Sequence, residues 1–148
     1  MTPTSRGTVK LASADPSYPP LVDPNGYAAE ADRCSMREGI RQMLRLMLET
    51  AEGKDSVEDV VATSSQLELT LTSSDEDIDE YVRTFGATAY HAARIAAMGD
   101  VVDGDLKVRG IRGLRVVDAS VLPVSIAAHL QVPLYALAEQ AADIILGA

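Results

Sequence analysis

The sequence predicts an α+β fold, with helices and short antiparallel strands segregated along the chain rather than alternating. Three observations carry this expectation. Two segments place apolar residues at helical spacing, one over 28–50 and one from Pro133 to the C-terminal Gly147. Runs at 7–12 and 66–72 alternate polar and apolar residues, as half-buried strands do. Clusters of Pro, Gly, Asn and Asp separate these segments. With 148 residues, 47% of them hydrophobic, the chain suits one domain of ordinary size. It has one phenylalanine, Phe85, and no tryptophan, so aliphatic side chains must fill its core.

Gly7 to Ala12 reads as a short strand, after which Asp15-Pro16 and Tyr18-Pro19-Pro20 impose an extended path. Asp23-Pro24-Asn25-Gly26 is a turn. In the helix predicted from Ala28 to Thr50, Met36, Ile40, Met43, Leu44 and Met47 form one face, read as packing. Arg37, Arg41 and Arg45 mark another, and Gly53 is expected to end the helix. Cys34, the only cysteine, reads as a buried structural thiol. Gln66 to Thr72 alternate strictly and predict a strand. Ser73 and Glu76 have capping-box spacing, and Asp75-Glu76-Asp77 reads as a solvated helix cap rather than a metal site. Ile78, Tyr81, Val82 and Phe85 give the following helix its apolar face. Leu106–Val108 and Leu114–Val117 are short strand candidates around Gly110 and Gly113. The last helix opens at Pro133, buries Leu134, Leu137, Ala138, Ala141, Ile144 and Ile145, and ends at Gly147.

A net charge of -9 argues against a nucleic-acid surface or an anionic membrane as partner. The N-terminal residues lack the apolar run of a signal peptide, and no stretch is apolar enough to span a bilayer, so a soluble cytoplasmic protein is expected. Two separated histidines and scattered carboxylates predict no metal site.

The residues most open to chemistry lie between the two histidines, His91 and His129. Such a pair can divide proton acceptance and hydrogen bonding near neutral pH. Asp118 closes the apolar Leu114–Val117 run, where a carboxylate either accepts hydrogen bonds from ribose-like hydroxyls or caps a loop. Free N–H groups at the start of the last helix can stabilise an anion beside His129. Ser120, His129 and Asp118 supply the residue types of a hydrolase but no nucleophile-elbow motif.

Taken in order, these motifs resemble the C-terminal region of the glucose–methanol–choline (GMC) oxidoreductases, which use FAD. The resemblance rests on Ser5-Arg-Gly-Thr-Val-Lys-Leu-Ala-Ser13-Ala-Asp-Pro16, Asp23-Pro24-Asn25, Thr88-Ala-Tyr-His91 and Met98-Gly99. It continues through Gly110-Ile-Arg-Gly-Leu-Arg-Val-Val-Asp-Ala-Ser-Val-Leu-Pro123, His129-Leu-Gln-Val-Pro133 and Ala138-Glu139-Gln-Ala-Ala-Asp143-Ile-Ile, and so covers nearly the whole chain. It implies a partial GMC fold, with substrate-domain elements over 1–90 and a catalytic, flavin-contacting segment over 91–148. By the same resemblance, His91 matches the histidine that takes the substrate hydroxyl proton while hydride passes to flavin. His129 matches a position, histidine or asparagine in the family, that hydrogen-bonds the substrate oxygen. Asp118 and Ala119 match the segment that touches the ribityl and phosphate region of FAD, and Gln131 and Val132 the loop beneath the flavin ring.

The chain departs from the pattern at Arg94 and Ile95, where family members usually carry Gly-Thr, and it contains no G-x-G-x-x-G fingerprint. The expected function is therefore the C-terminal part or small subunit of an FAD-dependent oxidoreductase of small-molecule alcohols. A separate chain would carry the FAD-binding Rossmann half. The alternatives are a GMC-type lyase that keeps FAD structurally and a non-catalytic truncated interaction module. Apolar surface should remain on the last helix and on the helix at 28–50, where the FAD-binding half would pack.

Overall fold

The computed structural model describes residues 3–57 and 68–147. The element order is β1 (Thr8–Lys10), β2 (Leu21–Asp23), α1 (Glu30–Glu49), α2 (Ala51–Ser56), α3 (Asp75–Phe85), a single 3-10 turn at Ala119–Val121, and α4 (Gln131–Leu146). This is the mixed helix-and-strand composition that the sequence predicts. Strands β1 and β2 pair in a two-stranded sheet whose residues are all exposed. By its internal contacts the chain divides into two compact units, one of residues 4–8 and 22–87, the other of 1–3, 9–21 and 88–148.

The first unit is organised by α1. Ala29, at its N-cap, has no capping side chain. Residues from the start of the chain bind beside this end of the helix. The Asp32 carboxylate accepts from the backbone N–H groups of Thr4 at 2.7 Å and Ser5 at 2.8 Å, and Ser5 Oγ accepts from the N–H groups of Ala28 and Ala29. A hydrogen bond from the Ser5 side chain first, then those from the Thr4 and Ser5 amides, hold the Asp32 carboxyl well below the usual carboxylate range.

Leu44 of α1, Leu69 and Ile78 of α3 form the buried cluster of this unit, flanked by Ile40, Leu48, Tyr81 and Val82. The packed stripe therefore runs through 40, 44 and 48, while Met36 and Met43 of the predicted face are exposed. Two arginines beside that stripe also meet α3. Arg37 clamps Asp79 with Nε and Nη2, both at 2.6 Å, and Arg41 reaches Asp75 at 2.5 Å. Tyr27 donates its hydroxyl to Asp79 at 2.6 Å. Arg37 keeps the buried Asp79 carboxyl far below its ordinary value, and burial, with Asp79 beside it, pushes Tyr27 up to about 12.

Four expectations change here. Cys34 is exposed, because its place on α1 lies outside the 40–44–48 stripe. Helix α1 ends at Thr50, which turns extended and caps α2 through Gly53, so Gly53 lies inside a second helix. The capping box uses Ser74 and Asp77 instead of Ser73 and Glu76, since Ser73 Oγ is spent on the Thr70 N–H of the preceding turn. No strand forms over 68–72: the Thr70–Ser73 turn takes its backbone groups and Leu69 alone is buried, while Gln66 and Leu67 lie outside the described residues.

The second unit closes around Val102, Leu106, Val121 and Ala141, with Met98, Val108, Val116 and Leu137 packed against them. The strands expected at 106–108 and 114–117 are reduced to isolated bridges, Val102 with Val108 and Lys107 with Arg115. Left-handed backbone at Leu106, Gly110 and Gly113 bends the chain too often for a ladder to extend. Helix α4 starts at Gln131, with Pro133 at its third position, where the missing N–H costs no helical bond. It ends on Gly147 in the left-handed conformation, φ 74°. Only Ala141 is fully buried on α4, whereas Val132, Tyr135, Ala138, Ile145 and Leu146 are exposed, as are Met43 and Leu46 of α1. Ala138 and Ile145, expected in the buried face of the last helix, are thus exposed. No described helix is long and apolar enough to cross a membrane.

Two outcomes test this packing. A Cβ on Gly53 would lie 2.1 Å from the Leu46 carbonyl oxygen and 2.5 Å from that of Met47. Both are helix backbone and cannot yield cheaply, so Gly53→Ala should lower stability by about 1–3 kcal/mol in chemical denaturation. The folded-state carboxyl of Asp79 lies below its unfolded value of about 3.9, so its contribution is complete above pH ~4 and fades as pH falls through the folded value. Thermal melts in acid should show this loss in the native chain. Asp79→Asn should melt lower at pH ~7, with a smaller further fall in acid.

Candidate active site

Arg94, Ala96 and Met98 donate their backbone N–H groups to the carbonyls of Ala119 (3.3 Å), Ser120 (3.0 Å) and Val121 (2.9 Å). These three bonds lay the segment after His91 along the 3-10 turn, and the fully buried Val121 ties that turn into the core. His129 stands one residue before the buried N-cap of α4, Leu130. The two histidines, 38 positions apart, meet: His91 Nε2 lies 2.9 Å from His129 Nδ1, with ring centroids 4.9 Å apart and planes at 53°. His91 Nδ1 is held by the carbonyl of Ala89. Both histidines are exposed, so the pair is open to a small molecule.

The backbone around His91 is strained. Tyr90 (φ 59°) and Arg94 (φ 73°) are both left-handed, a conformation that costs non-glycine residues about 1–2 kcal/mol. Strain of this kind collects at functional sites. The Tyr90 turn brings the His91 ring back onto the Ala89 carbonyl. Arg94 sits where the resembling family usually has glycine, the residue that tolerates this conformation.

The other expected site residues fall at two places. Asp118 caps the 3-10 turn, accepting from the Ser120 N–H at 2.8 Å and from the Ser120 hydroxyl. Its carboxylate is exposed, and the carbonyl of Ala119 is taken by Arg94. The hydrolase arrangement does not form, because Ser120 bonds Asp118 and His129 Nδ1 faces His91. Gln131 and Val132 are the first two residues of α4, both exposed, and their N–H groups have no acceptor among the described residues. The first engaged amide is that of Leu134, bonded to Leu130 at 3.0 Å. An array of open donors thus begins two residues after His129, ready for an anionic or carbonyl-bearing ligand. Among the described residues, no cluster of three or more His, Cys, Asp or Glu is placed to hold a metal ion.

Ala89 was not legible as a site residue, since its part is played by a backbone carbonyl. Tyr90 gave no signal either, because tyrosine does not mark left-handed backbone as glycine or asparagine does.

Comparison with known proteins gives a consistent result. The family model for the C-terminal region, described as GMC oxidoreductase, matches residues 3–138. The chain is 44% identical over 144 residues to the GMC-type oxidoreductase acuG of Aspergillus aculeatus, covering 97% of this chain and 27% of that protein. It is 37% identical to pyranose dehydrogenase 3 of Leucoagaricus meleagris, covering 95% and 24%. A fungal aryl-alcohol oxidase structure superposes with a TM-score of 0.80 at 37% identity, covering 99% of this chain and 24% of that one. The chain thus spans about a quarter of the length of the relatives it matches.

Arg94→Gly should relieve the left-handed strain, offset in part by the greater freedom of glycine in the unfolded chain. A net gain of roughly 0.5–1 kcal/mol is expected in denaturant titration.

Proposed function

The chain belongs to the GMC oxidoreductase family, and on that premise we propose that it forms the C-terminal part of an FAD-dependent oxidoreductase that oxidises an alcohol. The observation that carries this reading is the His91–His129 contact at 2.9 Å beside the open N-terminus of α4. Aryl alcohols and the hydroxyls of pyranose sugars are the substrate classes that the names of similar proteins suggest.

The residues present fit FAD. The unengaged amides of Gln131 and Val132 would hold the electron-rich edge of the flavin ring, where the positive end of α4 favours added negative charge. The exposed carboxylate of Asp118 would accept from ribityl hydroxyls, using the oxygen left open by its cap. FAD, when bound, supplies the two-electron acceptor for the hydride that leaves the alcohol carbon. The histidine pair receives the hydroxyl proton and hydrogen-bonds the alcohol oxygen, which aligns the C–H bond for transfer.

These 148 residues hold no G-x-G-x-x-G fingerprint, so in this reading the FAD-binding half lies outside them. The apolar residues exposed on α1 and α4 would supply the contact surface. Arg94 and Ile95 replace the usual small pair after the histidine, so the alcohol pocket would differ from those of similar proteins.

The test combines this chain, a chain carrying the FAD-binding half, and FAD under anaerobic conditions. Aryl alcohols and pyranoses are added, and bleaching of the flavin absorbance is followed. Reduction by one of them is expected, with a loss of about 10²–10⁴-fold in the double variant His91→Ala/His129→Ala. Flavin that stays oxidised, or a double variant as fast as the native chain, would refute the assignment.

A further inference from the structure

We propose that Arg94 is an anion-binding residue of the alcohol site, and that the preferred substrate is an alcohol that also carries a carboxylate. This rests on the alcohol-oxidising reading above and names its substrate class.

Three observations meet at Arg94. The first is its state of pairing. Arg37 and Arg41 bind aspartates of α3, and Lys107 and Arg115 are held at Asp105. The guanidinium of Arg94 has no hydrogen-bond or ion-pair partner among the described residues, although the residue is half-buried. Arg109 and Arg112 are unpaired as well, but both are exposed and water solvates them. A guanidinium partly withdrawn from water, with its N–H donors open, carries a desolvation cost that an anionic acceptor offsets.

The second is backbone strain. Arg94 holds a φ of 73°. Glycine takes this conformation at no steric cost, so the position carries an arginine against the preference of its own backbone. Strain kept in this way points to work done by the side chain.

The third is place. The Arg94 N–H bonds the Ala119 carbonyl at 3.3 Å, and three residues of chain from His91 to Arg94 span at most about 11 Å. The backbone of Arg94 therefore lies within the length of a small molecule from the histidine pair. Asp118 adjoins Ala119 yet does not pair with Arg94; its bonds go to Ser120. No acidic side chain among the described residues neutralises this guanidinium, so the anion it lacks comes with a ligand.

The shape of the group selects the anion. A planar fork of N–H donors matches the two oxygens of a carboxylate. An aryl ring with a carbinol at one end and a carboxylate at the other would reach both the histidines and Arg94. The fork also suits the diphosphate of FAD, and the experiment separates the two sources.

The test uses the FAD-loaded complex containing the full chain. Flavin reduction is followed with benzyl alcohol and with para-(hydroxymethyl)benzoate, and the ratio of kcat/KM for the acid over the neutral alcohol is compared. The native ratio should favour the acid. Arg94→Gln should lower it by about 10–100-fold, chiefly through KM, and Arg94→Lys should keep part of it. Arg94→Glu should turn the preference toward a benzyl alcohol bearing an aminomethyl group. Arg112→Gln removes an equal charge from an exposed loop and should leave the ratio as it was. A ratio that Arg94→Gln does not move, or that Arg112→Gln lowers as much, overturns the proposal. If Arg94→Gln weakens FAD binding and leaves the ratio alone, the guanidinium serves the diphosphate and the substrate assignment falls. Calorimetric titration of the complex with benzoate, which has no alcohol to oxidise, gives a second readout. The native complex should bind benzoate more tightly than Arg94→Gln by a similar factor, and equal binding overturns the proposal. Benzoate binding that depends on Arg94, in a complex that no alcohol reduces, keeps the anion site and removes the alcohol reading with its substrate class. Alcohols that reduce the flavin while neither measurement depends on Arg94 remove the anion site alone.

Discussion

The candidate site depends on three backbone hydrogen bonds, those from Arg94, Ala96 and Met98 to the turn at Ala119–Val121. Each contributes about 1 kcal/mol net, so their sum is modest. Their importance is geometric. They set two distant pieces of chain in register, and the apolar cluster of Val102, Leu106, Val121 and Ala141 prevents that register from slipping. Val121 lies at one end of the turn and Ala141 on α4, so one cluster locates both the strand-like segment after His91 and the helix after His129. The histidine contact is a product of that closure.

In the other unit, charge does much of what apolar packing does at the site. A guanidinium with a planar fork suits a carboxylate held in line, and Arg37 meets Asp79 in that bidentate way. The carboxylate is buried, so it could not remain ionised without that partner and the Tyr27 hydroxyl. This explains why Arg37 and Arg41 of α1 face α3, while Arg45 pairs with Glu38 of its own helix. Helical periodicity identifies an arc of the helix. It cannot say whether a neighbouring arc of arginines meets water or a row of aspartates on another helix.

Elements with strong local signals were legible. Helix α1 lies within two residues of its expected ends, α3 buries Ile78 on the expected face, and Gly147 caps α4. These features depend on periodicity and capping, which act within a few residues. The misread features share another property. The predicted strand at 66–72 and the bridges at 106–117 needed a partner strand, and pairing is a long-range matter. Both Ser73 and Ser74 suit a helix cap, and only the turn at Thr70 decides between them. Cys34 followed the usual habit of cysteine until the orientation of α1 exposed it.

By itself the sequence determined α1, α3 and α4, the family and the identity of the two histidines, because periodicity and ordered motifs survive in one dimension. Tertiary structure decided what those histidines can do. Whether His91 and His129 touch, which nitrogen of each faces the other, and that a carbonyl at Ala89 restrains the pair, all depend on chain closure across 38 positions. The same holds for Asp118, whose carboxylate caps the turn at Ser120 through one oxygen and leaves the other open. Imidazole chemistry is directional, and direction exists only once the backbone has been folded around it.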